Sequence, residues 1–316
     1  MIPIEWFLEA QARIQPHILE TPLSYDPDLD IYIKWENRQV TGSFKIRGAL
    51  NKIFSLQPWE RERGIITASA GNHGQGVALA AQKMRARVIV FASEHAVASK
   101  IASMRQYGAQ VRLVPGGYAE AEIAGLQYAR ENGSCWVSPY NDGLVIAGQG
   151  TLALESLRQQ SELSRAAWII PVGGGGLISG IATVLADRAP GATVLGVQSE
   201  ASPFFHAIYK NGSQGNVQEY ESLADGLSGP VETGAVTIPL VQRYVKDIFL
   251  VTEAEIAAAI TYAWRSYHEV IEGSAAVTLA AIITGKIKMR PAILMVTGGN
   301  IQPETHAQII HAQNDE

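Results

Sequence analysis

Pro171-Val172-Gly173-Gly174-Gly175-Gly176-Leu177-Ile178-Ser179-Gly180 is the stretch on which the fold turns. It follows the short apolar run 168–172 and opens a helical pattern at Leu177. Four glycines remove every side chain from a turn whose backbone N–H groups can converge on one anion. The helix that follows points the positive end of its dipole at the same place, so the loop suits a phosphate dianion. A tight turn without a ligand is the plainer alternative, but four consecutive glycines each lose backbone entropy on folding, which weighs against it. The dinucleotide fingerprint fails on spacing, because Gly174-x-Gly176 is followed by Ser179 where a third glycine would stand. The Lys-Ser/Thr ending of a P-loop is missing as well. The loop reads as a seat for a single phosphate rather than a nucleotide.

The same passage from strand into glycine into helix recurs along the chain. Short β-branched runs at 31–35, 65–68, 88–92, 111–114, 168–172, 194–197 and 292–296 predict buried strands. Helical patterns at 73–84, 98–107, 119–131, 177–187, 253–267 and 275–283 lie between them. This alternation predicts an α/β fold with largely parallel sheets covered by helices and argues against a β-sandwich. Residues 51–142 hold a strand–helix series of their own, which suits a smaller lobe inserted in a larger one made of 1–50 and 143–316. Ligands of open α/β sheets bind beyond the carboxyl ends of the strands, and those ends are where the glycines gather.

Composition narrows the function classes. A chain of 316 residues, 47% apolar and 17% charged, can build a sizeable core and is no disordered segment. The balance of 25 basic against 30 acidic residues gives a net charge of −5, with no basic run to hold a nucleic acid. The single cysteine, Cys135, rules out an internal disulfide, and its apolar setting predicts a buried, inert thiol. Glu5, Glu9 and Arg13 interrupt the N-terminal apolar residues, so neither a signal peptide nor a membrane span is expected there. A cytoplasmic globular protein with no membrane or nucleic-acid partner is the expectation.

Three other segments sit at strand ends. In Thr41-Gly42-Ser43-Phe44-Lys45-Ile46-Arg47-Gly48-Ala49, Ser43 is placed to cap a helix whose first turn carries Lys45. The helix dipole there disfavours the protonated amine. In Thr67-Ala68-Ser69-Ala70-Gly71-Asn72-His73-Gly74, a hydroxyl, an amide and glycine N–H groups form a small polar cup for a carboxylate. Taken alone, that segment reads equally as a helix start capped by Ser69 or Asn72, with His73 in the core. In Met295-Val296-Thr297-Gly298-Gly299-Asn300, a single hydroxyl at a strand end can meet a heterocyclic nitrogen or cap a helix from about Pro303. His306 and His311 are five apart and miss the i,i+4 spacing of paired zinc ligands, and no Gly-x-Ser-x-Gly elbow is present.

Taken together, the segments resemble the fold type II enzymes of pyridoxal 5′-phosphate, in particular the threonine/serine ammonia-lyase (dehydratase) and serine racemase family. The likeness covers nearly the whole chain in the family's order. It runs from Pro16-His17-Ile18-Leu19-Glu20-Thr21-Pro22-Leu23 through the Lys45 and Asn72 segments to Val145-Ile146-Ala147-Gly148-Gln149-Gly150-Thr151. It continues through the glycine loop and Ala224-Asp225-Gly226 to Thr297-Gly298-Gly299-Asn300. The resemblance implies two α/β lobes with the cofactor between them, often in a homodimer. It implies that Lys45 carries the cofactor as a Schiff base and serves as the catalytic base. Asn72 would bond the pyridoxal ring oxygen, Gly173, Gly174, Gly175, Gly176 and Leu177 the phosphate, and Thr297 the pyridine nitrogen. Ser69, Ala70, Gly71, Asn72 and His73 would hold the substrate.

The reaction so implied is β-elimination of a small 3-hydroxy amino acid, threonine or serine, to a 2-oxo acid and ammonia. Racemisation, dehydration of another 3-hydroxy amino acid, and a non-catalytic binding protein of the same fold are the alternatives. Racemases of the family carry a serine just before the Gly-Asn-His of the cup, where this chain has Ala70. Metal-binding relatives carry a glutamate at what corresponds to Gln198, so no metal is expected, although Glu200 stands nearby. The chain ends at Glu316, soon after the Thr297 segment, so the regulatory domain of the biosynthetic threonine enzymes is expected to be absent.

Overall fold

The chain, described over residues 1–312 by a computed structural model, folds around two sheets. In chain order the strands are β1 (Leu23–Asp26), β2 (Ile31–Trp35), β3 (Ile65–Ala68), β4 (Val88–Ser93) and β5 (Gln110–Val114). They continue with β6 (Cys135–Trp136), β7 (Ala167–Pro171), β8 (Thr193–Ser199), β9 (Asp247–Val251) and β10 (Ala292–Val296). The larger sheet runs β1-β2-β10-β7-β8-β9 and the smaller β5-β4-β3-β6. All pairings are parallel except that of β1 with β2, where Leu23 faces Lys34.

The apolar runs become strands because both faces are covered. Every residue of β2, β3, β7 and β10 is buried, as expected where helices cover parallel strands on both sides. The run 111–114 is a strand but not a buried one. β5 is the edge of the smaller sheet and none of its residues is fully buried. Three strands escaped the sequence pattern: the antiparallel edge β1, the two-residue β6, and β9 at the far edge of the larger sheet. Cys135, in β6, is half-buried rather than buried, and burial pushes its thiol up. The two Asn-Gly-Ser sequences end helices: Gly133 and Gly212 adopt the left-handed conformation just past helices ending at Asn132 and Asn211.

Register brings the chemistry to one edge. In the larger sheet Ala292 of β10 lies opposite Ile31 of β2 and Ala167 of β7, so the exits at Thr297 and at the glycine loop open on the same side. The helix Lys45–Phe54 packs against the helices Asn72–Lys83 and Gly143–Gln159 and carries Ile46, Ala49, Leu50 and Ile53 into the core beneath the smaller sheet. It thus spans the junction between the two sheets. No helix among the described residues is long and apolar enough to cross a membrane.

A buried cluster of charges braces this helix. Arg47 gives Nε and Nη2 to Glu36 at 2.8 and 2.7 Å and Nη1 to Glu155 at 3.0 Å. Lys34, in the middle of apolar β2, gives Nζ to Glu155 at 2.6 Å and to the Thr21 carbonyl at 2.6 Å. All four charged side chains are buried, which the pairing and the added hydrogen bonds make tolerable.

Candidate active site

Lys45 opens its helix, but Ser43 is not the cap. Phe44 precedes the helix with no side-chain cap, while Ser43 forms a backbone bridge with Gly298 and buries its hydroxyl without a partner among the described residues. The bridge, with the Phe44 N–H donating to the Thr297 carbonyl at 3.0 Å and the Gly299 N–H to the Gly42 carbonyl at 3.0 Å, stitches the lysine segment to the end of β10. Lys45 is half-buried by surface yet its amine lies deep in the molecule, 3.3 Å from the Pro139 carbonyl. Desolvation draws the amine down to about 8, against a smaller opposing pull from Glu272.

The glycine loop takes shape after β7. The helix Gly176–Arg188 follows it, and its first backbone bond from outside the helix runs from the Ser179 N–H to the Gly175 carbonyl at 3.0 Å. The N–H groups ahead of that bond have none of the helix's own carbonyls to meet and are free to cradle an anion. Packing also demands two of the glycines. A Cβ on Gly174 would stand 2.3 Å from the Tyr140 ring, and one on Gly175, at φ +86°, 2.5 Å from Phe205. The loop is therefore glycine-rich for two reasons, and the sequence suggested only one.

The polar cup lies where β3 ends. Neither Ser69 nor Asn72 caps the following helix; Gly71 occupies that position. Ser69 is buried and its hydroxyl accepts the Gly71 N–H at 3.1 Å. The first helical bond runs from the Gln75 N–H to the Gly71 carbonyl, so the N–H groups of Asn72, His73 and Gly74 are left toward the cup. The His73 ring is turned away into the core, 3.2 Å from the Val137 carbonyl, and burial pulls it down to about 3. Histidine is neutral there, and its backbone is what remains for the cup.

Glu272 and Lys100, which the sequence did not single out, complete the cleft together with Asn300 and Asp225. Asn72 donates through Nδ2 to Glu272 at 2.7 Å and accepts at Oδ1 from Asn300 at 2.7 Å. Glu272 is buried, and desolvation together with Asp225 pushes its carboxyl up to about 7. Lys100 pairs with Asp225 at 2.8 Å and lies over Gly71, its Nζ 3.7 Å from where a Cβ would be. No spacing announces Glu272; it merely precedes the apolar helix Gly273–Ile283. Thr297 is buried at the end of β10. Gln198 uses Oε1 to accept the His206 N–H at 3.0 Å, and Glu200 is exposed.

The family described as pyridoxal-phosphate dependent enzymes matches residues 14–298. The chain belongs to this family. It is 40% identical to an L-threonine ammonia-lyase of Thermotoga maritima over 98% of this chain and 79% of that protein. Among solved structures, maize serine racemase superposes with a TM-score of 0.90 at 30% identity, over 99% of this chain and 98% of that one. The processed form of threonine deaminase isoform 2 from Solanum lycopersicum gives 0.88 at 30% identity, over 97% and 92%. The fold is thus that of the type II pyridoxal phosphate enzymes, as the sequence suggested, and pyridoxal phosphate is the cofactor. The cleft of this family member fits it: a deep amine for the aldehyde, free N–H groups for the phosphate, and an amide and a hydroxyl for the ring.

Proposed function

We propose that the chain deaminates a small 3-hydroxy amino acid, L-threonine first and L-serine next, to a 2-oxo acid and ammonia by loss of the 3-hydroxyl. The observation that carries this reading is the Lys45 amine, drawn down to about 8 by desolvation and hydrogen-bonded to no carboxylate among the described residues. Such an amine gives up its proton more readily than an ordinary lysine, and in its free form can take a proton from carbon. The relative from Thermotoga maritima, named for the same reaction, supports the choice of substrate.

In this reading Lys45 holds the cofactor covalently through Nζ. The N–H groups of Gly173 to Leu177 hold its phosphate, Asn72 its ring oxygen, and Thr297 its ring nitrogen. Pyridoxal phosphate, when bound, supplies the electron sink that acidifies the Cα–H of an amino acid. The chain supplies everything else. The N–H groups of Asn72 and His73 in the Ser69–His73 cup would hold the substrate carboxylate. Lys45, its Nζ freed when the substrate's amino group takes its place, would accept the Cα proton, and a proton returned to the 3-hydroxyl would let it leave as water. The amine left on the product is then hydrolysed, so that water is lost once and consumed once. The smaller lobe, residues 51–142, and the larger, residues 1–50 and 143–316, would close around the substrate, and the protein would work as a cytoplasmic homodimer.

Racemisation is the second reading, favoured by the superposition on maize serine racemase. A panel of 3-hydroxy and 3-chloro amino acids, scored for 2-oxo acid and ammonia, tests the first. Threonine and serine should both yield 2-oxo acid with equimolar ammonia, and no 2-oxo acid from either would overturn it.

A further inference from the structure

Asn72 has a side chain whose two ends differ, and the surroundings decide which way round it sits. Asn300 donates through Nδ2 to the Thr41 carbonyl at 2.9 Å, and a carbonyl can only accept. The same nitrogen donates to Asn72, so the Asn72 atom facing it must be Oδ1, at 2.7 Å. That turns Asn72 Nδ2 to the opposite side, where Glu272 Oε1 accepts at 2.7 Å. One Asn72 N–H is thereby used, and the second has no partner among the described residues.

Glu272 is itself held firmly. Its backbone N–H donates to the Gly298 carbonyl at 3.1 Å, and its carboxylate accepts the Asn300 backbone N–H. A Cβ on Gly298 would stand 2.4 Å from Glu272 Oε1, so glycine at 298 is what lets the carboxylate approach. With Asn300 on one side and Glu272 on the other, the Asn72 amide cannot turn over without setting two donors or two acceptors against each other.

We infer that Glu272 is a positioning residue for the cofactor: with Asn300 it locks the rotation of the Asn72 amide so that the second N–H is kept for the ring oxygen. The inference rests on the pyridoxal phosphate reading of the cleft. The charged groups around Glu272 are Asp225, which opposes its ionisation, Lys100, which favours it, and Lys45, on which Glu272 acts in turn. Because Glu272 titrates near 7, the bond it accepts from Asn72 weakens as the pH falls through that value. The ring oxygen should feel the change.

Visible absorbance of the holoenzyme without substrate, followed against pH, and pyridoxal phosphate affinity of the reconstituted protein read this directly. Glu272→Ala should bind pyridoxal phosphate about tenfold more weakly, the loss of one hydrogen bond to a charged group. It should also lose the spectral inflection near neutrality. Glu272→Gln, whose amide oxygen can still accept from Asn72, should keep the affinity within about threefold and lose only the inflection. Affinity and titration unchanged in Glu272→Ala would overturn the role of Glu272. A wild-type protein with no visible band would instead overturn the cofactor reading itself, so the two failures are distinct.

Discussion

The Lys100 ammonium stands 2.8 Å from the Asp225 carboxylate, joining the helix Ala98–Gln106 to the segment Ala224-Asp225-Gly226 across the mouth of the cup. Asp225 is exposed while Lys100 is mostly covered. Exposed pairs add little stability, under about 1 kcal/mol, so the cation's position over Gly71 matters more than the bond. Lys100→Met should leave the denaturation midpoint nearly unchanged. It should raise KM for threonine about tenfold, as expected when a charged hydrogen bond to substrate is lost, with a smaller fall in kcat. Unchanged KM would show that the pair only tethers the two segments.

Lys45→Ala should remove the visible absorbance of the bound cofactor and lower turnover by at least about a thousandfold, within the range of a lost acid–base group. Folding should survive, since among the described residues the amine hydrogen-bonds only to the Pro139 carbonyl. Circular dichroism and denaturation establish the fold, and absorbance with a 2-oxo acid assay establishes the loss. A variant that kept the band and the activity would remove Lys45 from the mechanism.

The buried cluster predicts a stability effect. Replacing Arg47 with leucine leaves the side chains of Glu36 and Glu155 in the core with fewer partners. Breaking a buried pair on one side typically loses about 3–5 kcal/mol. Arg47→Leu should therefore shift the urea midpoint strongly, and cofactor affinity should fall with it, because Lys45 lies two residues away on the same helix. A shift under about 1 kcal/mol would mean that the cluster is no brace.

The strand ends were legible because glycine and β-branched residues mark them in the chain itself. The loop at Gly173–Gly176, the cup at Ser69–His73 and the exit at Thr297 all lie where the pattern put them. What could not be read were pairings between distant residues. Glu272 meets Asn72 from 200 positions away, and Lys34 meets Glu155 from 121. Lys34 sits inside a run that reads as plain strand, and only its partner explains a charge there. Capping was misjudged at Ser43 and at Asn72 for one physical reason. Both are bound to the 298–300 segment, Ser43 through its backbone and Asn72 through its side chain, and tertiary pairing overrode a local preference.

Glu272 predicts a pH dependence of stability with a definite sign. Its carboxyl rises from 4.5 in the open chain to about 7 in the fold, through burial and the nearby Asp225. Between those values the folded protein keeps a proton that the unfolded chain has released. The contribution is therefore fully present below 4.5 and is lost as the pH rises through 7. Glu272→Gln carries no such titration. Relative to wild type it should be more stable at about pH 8 than at about pH 5, read from urea midpoints at each. Parallel pH profiles for the two proteins would contradict the assignment.

Elimination should far exceed racemisation. A racemase needs a second acid–base group on the face of the cofactor opposite Lys45, close enough to return a proton to Cα. The racemases this sequence resembles carry a serine hydroxyl there, and Ala70 offers only a methyl group. Ser69 is the adjacent hydroxyl, but it is buried at the end of β3 and already accepts the Gly71 N–H at 3.1 Å. With one face silent, a deprotonated Cα either regains its proton from Lys45 or loses the 3-hydroxyl. Chiral chromatography of L-serine incubated with the enzyme should show pyruvate and no more than traces of D-serine, and Ala70→Ser should raise the D-serine fraction. D-serine formed as fast as pyruvate by the unaltered protein would mean that another group, outside the cup, reaches the second face.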